Sequence, residues 1–108
     1  MSKATYWQRG ESLDYVNNTT AAIEANTIIS LGTRIGIAGT SINPGEKGSL
    51  HVTGVYEIEK TGTEEIAMGA AVYFDGTGIT NATGGTPAGY AAAAATADAK
   101  VILVKLLG

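Results

Sequence analysis

Ser49-Leu50-His51-Val52-Thr53-Gly54-Val55-Tyr56-Glu57-Ile58-Glu59-Lys60 is the stretch whose reading decides the fold. Leu50, Val52, Tyr56 and Ile58 are spaced to fall on one side of an extended chain, with Gly54 between them. His51, Thr53, Glu57 and Glu59 fall on the other side, interrupted only by Val55. Successive side chains of a strand point to opposite faces, so this pattern predicts one strand, Ser49 to Lys60, in a sheet with one buried face. Just upstream, Asn43-Pro44-Gly45-Glu46-Lys47-Gly48 reads as a turn, because proline presets φ and glycine supplies a positive φ.

Working outward, short apolar runs alternate with Gly-rich punctuation, and no long 3.6-residue period is found. Leu13 to Asn17 reads as a first strand and 17–20 as a turn. Thr27 to Leu31 is a β-branched run stopped by Gly32, and in Arg34-Ile35-Gly36-Ile37-Ala38 the isoleucines share a face. Ala70 to Phe74 is a further strand, followed from Thr77 to Pro87 by a Gly/Thr/Asn-rich loop with room for a short strand at Ile79-Thr80. Thr63 to Gly69 reads as one helical turn, with Thr63 as N-cap, acids near the start and glycine at the stop. Ala88 to Ala97 is open between a helix, which alanine favours, and a strand followed by a loop, which its short length and strand-like neighbours favour. Lys100 to Leu107 is apolar on both faces in its middle, so burial on both sides is expected, within the domain or at a subunit contact. The first twelve residues lack periodicity. The expected organisation is an arm over 1–12 and a mostly β single domain over 13–108, with at most one short helical turn, no linker and no internal repeat.

The chain has 108 residues, enough for one domain with a thin core. It has no cysteine, which excludes disulfides and thiolate metal sites. The segment Met1 to Arg9 is polar and unlike a signal peptide, and no run approaches a membrane span, so cytoplasmic synthesis and no membrane partner are expected. Charged residues make up 16% and the net charge is −3, which lacks the basic footprint of a nucleic-acid binder.

Catalytic and metal chemistry finds little to work with. His51 is the one histidine, and it sits on the polar side of the strand, where an exposed or hydrogen-bonded surface role is expected. One histidine with scattered carboxylates is no zinc ligand set. Glu64-Glu65 reads as a negatively charged helix start, and Glu57 with Glu59 as a solvated strand face. Asp75-Gly76-Thr77-Gly78 opens like a calcium loop, but no acidic series follows. Gly39 to Ser49 departs from a phosphate loop: five residues separate Gly39 from Gly45, Glu46 precedes Lys47, and Pro44 removes an N–H donor. No catalytic residue, metal or cofactor is therefore expected.

The order of segments resembles the small phage proteins of the domain-of-unknown-function 2190 group, regarded as capsid decoration or cement proteins. The resemblance is carried by Gly10 to Tyr15, then Gly54-Val55-Tyr56-Glu57-Ile58-Glu59-Lys60, then Ile66-Ala67-Met68-Gly69 before Val72-Tyr73-Phe74-Asp75-Gly76. It continues in Ala88-Gly89-Tyr90-Ala91 and Lys100 to Leu106. It implies a β-barrel-like or β-tulip domain that sits as a homotrimer on the outer surface of the virion. The implied partner is the major capsid protein, which an N-terminal arm would reach. A recombinase label carried by some relatives is opposed by the missing nucleotide loop and the acidic balance.

Tyr6, Trp7, Gln8 and Arg9 are the candidate capsid-contact residues, since Tyr, Trp and Arg are enriched in interface hot spots. The competing role for Trp7 is to cover the domain's own core. Two other function classes stand beside cementing. An oligomeric β adhesion or head-fibre module would use the Thr/Asn-rich loop over 77–86, which has no exposed aromatic for a glycan. A small enzyme would rest on His51 alone.

Overall fold

The computed structural model describes residues 2–6 and 8–107. Among them all regular structure is strand: β1 Ser12–Val16, β2 Ile28–Ser30, β3 Ile35–Ala38, β4 Lys47–His51, β5 Val55–Glu59, β6 Ala71–Phe74, β7 Ile79–Thr80, β8 Thr86–Ala91 and β9 Val101–Leu106. They form a four-stranded sheet in the order β1-β4-β3-β2 and a five-stranded sheet in the order β5-β9-β8-β6-β7, with every neighbouring pair antiparallel. The mostly β single domain is thus present. The five-stranded sheet curls until Lys60 makes one parallel bridge with Ile79 at the opposite edge, but the sheets do not close into a barrel.

The deciding stretch is two strands, not one. β4 ends at His51 in the first sheet and β5 starts at Val55 in the second. Gly54, at φ 111°, takes the change of direction. The alternation survives because both strands turn the same set inward: Leu50, Val52 and Ile58 are buried and Tyr56 is half-buried.

The two sheets are two copies of one plan, contrary to the expectation of no internal repeat. In each half the chain runs edge strand, inner excursion and return, giving β1-β4-β3-β2 and its counterpart β5-β9-β8-β6. Each half also carries a bridge outside the strands. Ile23 and Ile42 exchange N–H···O bonds of 2.9 and 2.8 Å, as do Ile66 and Ala95. Ile66 follows Ile23 by 43 residues, as Val55 follows Ser12. The second half is longer in two places: 31–34 connects β2 to β3, whereas 75–85 connects β6 to β8 and contains β7, and 39–46 connects β3 to β4, whereas 92–100, one residue longer, connects β8 to β9.

The bridge also explains why Thr63 to Gly69 is not helical. Ile66 pairs with Ala95, Gly69 N–H donates to Ala91 O, and Gly69 has φ 88°. Long-range backbone pairing satisfies these groups, and an isolated turn of helix would offer fewer bonds. Ala88 to Ala97 resolves as strand to Ala91 and then loop, because β8 is held between β6 and β9.

The core has two parts. On the second sheet Ile58, Val72, Ile102, Val104 and Leu106 pack with Ile66, Ile79, Ala88, Ala91 and Ala95. Ile35 and Ile37 of β3 join this cluster, so one side of the first sheet lies against the second. The opposite side of the first sheet buries Ala38, Ile42, Leu50 and Val52 under its own loops. Within the chain, β9 is buried on one side only. Ile102, Val104 and Leu106 are covered, while Val101, Leu103 and Leu107 remain 46%, 41% and 51% exposed.

Candidate functional site

The residues singled out for contact lie ahead of the first edge strand. Residues 2–6, 8 and 9 adopt no regular structure, and the backbone joins the fold where Val52 N–H donates to Glu11 O at 3.1 Å. β1 begins at Ser12, one residue inside the span read as arm. Tyr6 is 80% exposed and Gln8 is exposed. The Arg9 guanidinium reaches Glu11 at 3.1 Å, with both side chains largely in solvent. Trp7 lies outside the described residues. The described arm thus presents a phenol, an amide and a guanidinium to solvent.

Behind the arm, β1 is an edge: its one partner is β4. Its register sets Asp14 opposite Ser49 and Val16 opposite Lys47, and the Lys47 Nζ lies 3.8 Å from Asp14. An edge strand with solvated charges resists uncontrolled pairing with other chains. Leu13, two residues past Glu11, is 40% exposed.

The polar candidates are spent on structure. Ser12 Oγ meets His51 Nδ1 at 3.3 Å, linking β1 to β4. The other ring nitrogen packs toward the Gly39 backbone, where even a Cβ would be crowded by Nε2. Serine, histidine and a third orienting group are needed to activate a hydroxyl, and here glycine occupies the third place. Asp75 forms an Asx turn: Oδ1 accepts the N–H groups of Thr77 and Gly78, both at 2.9 Å, and Oδ2 accepts the Thr61 hydroxyl at 2.6 Å. The Thr61 hydroxyl, followed by the Gly78 and Thr77 amides, holds this carboxyl below the ordinary aspartate value. Glu57, Glu59, Glu64 and Glu65 are exposed. Among the described residues no three His, Cys, Asp or Glu side chains gather to hold a metal ion.

Two buried polar residues escaped sequence reading. Asn17 is fully buried, and its Nδ2 donates to Ala21 O and Ile42 O at 2.9 and 2.8 Å. Lys60 is 6% exposed, and its Nζ donates to Gly62 O and Ala97 O at 2.7 and 3.2 Å. In sequence Asn17 looks like a turn residue and Lys60 like the polar end of a strand. Their burial follows from loops that fold back in each half, which no local pattern shows. A cleft of about 400 Å³ opens between the sheets beside Ile28, Ile37, Tyr56 and Ile58. The exposed residues Asn26, Glu57, Glu59 and Thr77 complete its lining.

What remains is a rigid β body with an exposed arm. The family model described as phage cement protein matches residues 7–106. No curated protein and no solved structure matches the chain.

Proposed function

The chain belongs to the phage cement protein family, and from that premise we propose that it binds the outer surface of the capsid and stabilises the mature shell. The family is structural, and we read this member as acting by fit, with no bond made or broken. Its partners in this reading are the major capsid protein and further copies of itself, as a homotrimer. It is made in the host cytoplasm and finishes on the virion surface.

The observation that carries the reading is the arm: Tyr6 and Arg9 are exposed immediately before an edge strand of a compact body. A protein that binds only the expanded lattice shifts the equilibrium toward it, by about 2.7 kcal/mol per site when free protein is 100-fold above Kd. Repetition over a symmetric shell multiplies modest single contacts.

The test mixes purified protein with expanded and unexpanded shells and measures sedimented protein. Capture by expanded shells, with a raised temperature of shell disruption, is expected. Deleting residues 2–10 leaves β1 and the Glu11 carbonyl in place and should abolish or strongly weaken capture. Failure of the intact chain to bind expanded shells overturns the reading; undiminished capture by the deletion variant removes the arm's role.

A further inference from the structure

The internal repeat lets the edge strand β5 be compared with its counterpart β1. Leu50 pairs with Leu13 and Ala38 as Val104 pairs with Tyr56 and Ala91. Asp14 of β1 therefore corresponds to Glu57 of β5, and Lys47 of β4 to Val101 of β9. In the first sheet the Lys47 Nζ lies 3.8 Å from Asp14. In the second sheet a valine stands where the cation stood. Leu103 lies opposite Glu57 and Val101 opposite Glu59, while Lys105, opposite Val55, directs its Nζ to the Leu106 carbonyl at 2.9 Å. Among the described residues neither Glu57 nor Glu59 has an ion-pair partner.

The same edge is open along its backbone. Leu106 N–H donates to Gly54 O and Lys60 N–H donates to Lys100 O, so the even residues from 54 to 60 spend their backbone groups on β9 and its extension. The N–H and C=O groups of Val55 and Glu57, and the Glu59 N–H, point to the other side, where β5 has no neighbour. The free run ends at Glu59, because Gly78 packs against its carbonyl so closely that a Cβ there would lie 2.5 Å from the oxygen. Beside this edge lies the inter-sheet cleft, with Ile28, Ile37, Tyr56 and Ile58 as its apolar walls. A segment added here as a strand bonds to β5, sends alternate side chains into the cleft and leaves the others beside Glu57 and Glu59.

We propose that the β5 edge takes the arm of a second copy as an added strand. The contact rests on the trimer reading above and deepens it. A second β5 is a poor occupant, because its acids would lie against these. The arm has the opposite charge: residues 2–10 include Lys3 and Arg9 and no acid. Its described residues are exposed and outside the sheets, so no part of the fold is broken when it extends. Alternation sorts its side chains. Lys3, Thr5 and Arg9 fall on one side of an extended arm, and Ala4, Tyr6 and Gln8 on the other. Both acids of β5 lie on the outer side, so the two cations take that side and Tyr6 turns into the cleft. Nine extended residues span about 30 Å; five of them match the ~17 Å of β5, and about 13 Å remains to cross between copies. Within one chain the arm stays outside, since Tyr6 is 80% exposed and no described arm residue lines the cleft. Each copy gives an arm and receives one, a heterologous contact that closes as a ring in a trimer.

The chain has no cysteine, so Thr5→Cys and Val55→Cys variants, tagged differently, can be mixed and treated with a flexible bismaleimide. Both positions lie on the outer side of the added strand and of β5. Each chain then carries one thiol, and heterotypic product joins two chains. The reaction is run at high concentration in solution and on expanded shells. Heterotypic product several-fold above the homotypic product of either variant alone is expected in at least one setting. It should fall several-fold when Lys3→Glu and Arg9→Glu are added to the Thr5→Cys chain. No heterotypic excess in either setting, or a yield untouched by the reversed charges, overturns the proposal. A chain with both cysteines that links only to itself places the arm on its own β5 and overturns it as well. Glu57→Cys repeats the test should Val55→Cys not fold. Shell capture is measured on the same samples. Capture without heterotypic product sinks this contact and leaves cementing intact, whereas heterotypic product in solution without capture does the reverse.

Discussion

Asn17 and Lys60 hold the same place in the two halves of the chain. Each follows the edge strand of its sheet and donates to two backbone carbonyls, one in the loop that follows it and one at the distant turn that the loop meets. The roles coincide although the side chains differ in length and charge. Asn17 completes its site with Oδ1, which accepts from the Thr19 amide and hydroxyl. Removing the Asn17 amide takes one of two donors from the Ala21 and Ile42 carbonyls, which also accept from the Thr19 hydroxyl and the Ile23 amide, and removing the Lys60 ammonium takes the donor from the Gly62 and Ala97 carbonyls; each bond lost costs about 0.5–1.5 kcal/mol. Asn17→Ala and Lys60→Met are each expected to lower the urea midpoint with little change in its slope, as read by circular dichroism.

Gly36 and Gly89 are a second corresponding pair with different tolerances. A Cβ on Gly36 meets the Leu50 side chain at 2.6 Å, and a side chain can shift. Gly89 has φ 140°, and a Cβ there collides with the Lys105 backbone carbonyl, which is fixed in the sheet. Gly36→Ala should cost about 1–3 kcal/mol as overpacking. Gly89→Ala adds backbone strain to a clash that cannot relax, and should cost more than about 3 kcal/mol. Thermal melts of the two variants side by side check the order.

Asp75 gives the fold an acid-sensitive element. Its carboxyl is held below the ordinary value by Thr61 first and by the Gly78 and Thr77 amides after it. The unfolded chain then takes up this proton more readily than the folded one. The contribution is whole above the ordinary aspartate value and is lost as pH falls through the lowered folded value. Asp75→Asn should narrow the stability difference between pH about 6 and about 3, where carboxylates titrate. Thr61→Val should narrow it in part. Urea titrations at both pH values measure this; an unchanged difference in both variants contradicts it.

The arm separates binding from stability. The Arg9–Glu11 pair is solvent-exposed, and such pairs contribute about 0.2–1 kcal/mol at most. Tyr6 is likewise outside the core. Tyr6→Ala with Arg9→Ala should leave the melting temperature nearly unchanged and reduce sedimentation with expanded shells. A large fall in melting temperature would show that these side chains support the domain itself.

Much of the strand content was legible because alternation and turn chemistry act locally. β1, β3, β6 and β7 lie where the apolar runs and Gly-rich breaks placed them. The crossing at Gly54 was not, because Leu50, Val52, Tyr56 and Ile58 keep their period while the chain changes sheets. The repeat was hidden by chemistry that substitutes freely within a role: Leu50 stands for Val104, Ile42 for Ala95, Asn17 for Lys60. Identity survives at Ile23/Ile66, Gly36/Gly89 and Ala38/Ala91, too sparse to be seen without the pairing. The acids and glycine around Ile66 imitated helix caps, and the bridge to Ala95 decided otherwise. At the arm, the residue types could be read; the neighbouring edge strand could not, because edges are defined by what fails to pair.

The joint between the sheets has a practical side. Val52 binds the Glu11 carbonyl, and the Gly54 carbonyl accepts from Leu106. The backbone therefore comes into the body and leaves it at adjoining points, both stitched to the short link at 52–54. Cargo grafted upstream or downstream would sprout from a single locale, and a permuted polypeptide could join those points and open at a distant hairpin without redirecting any strand.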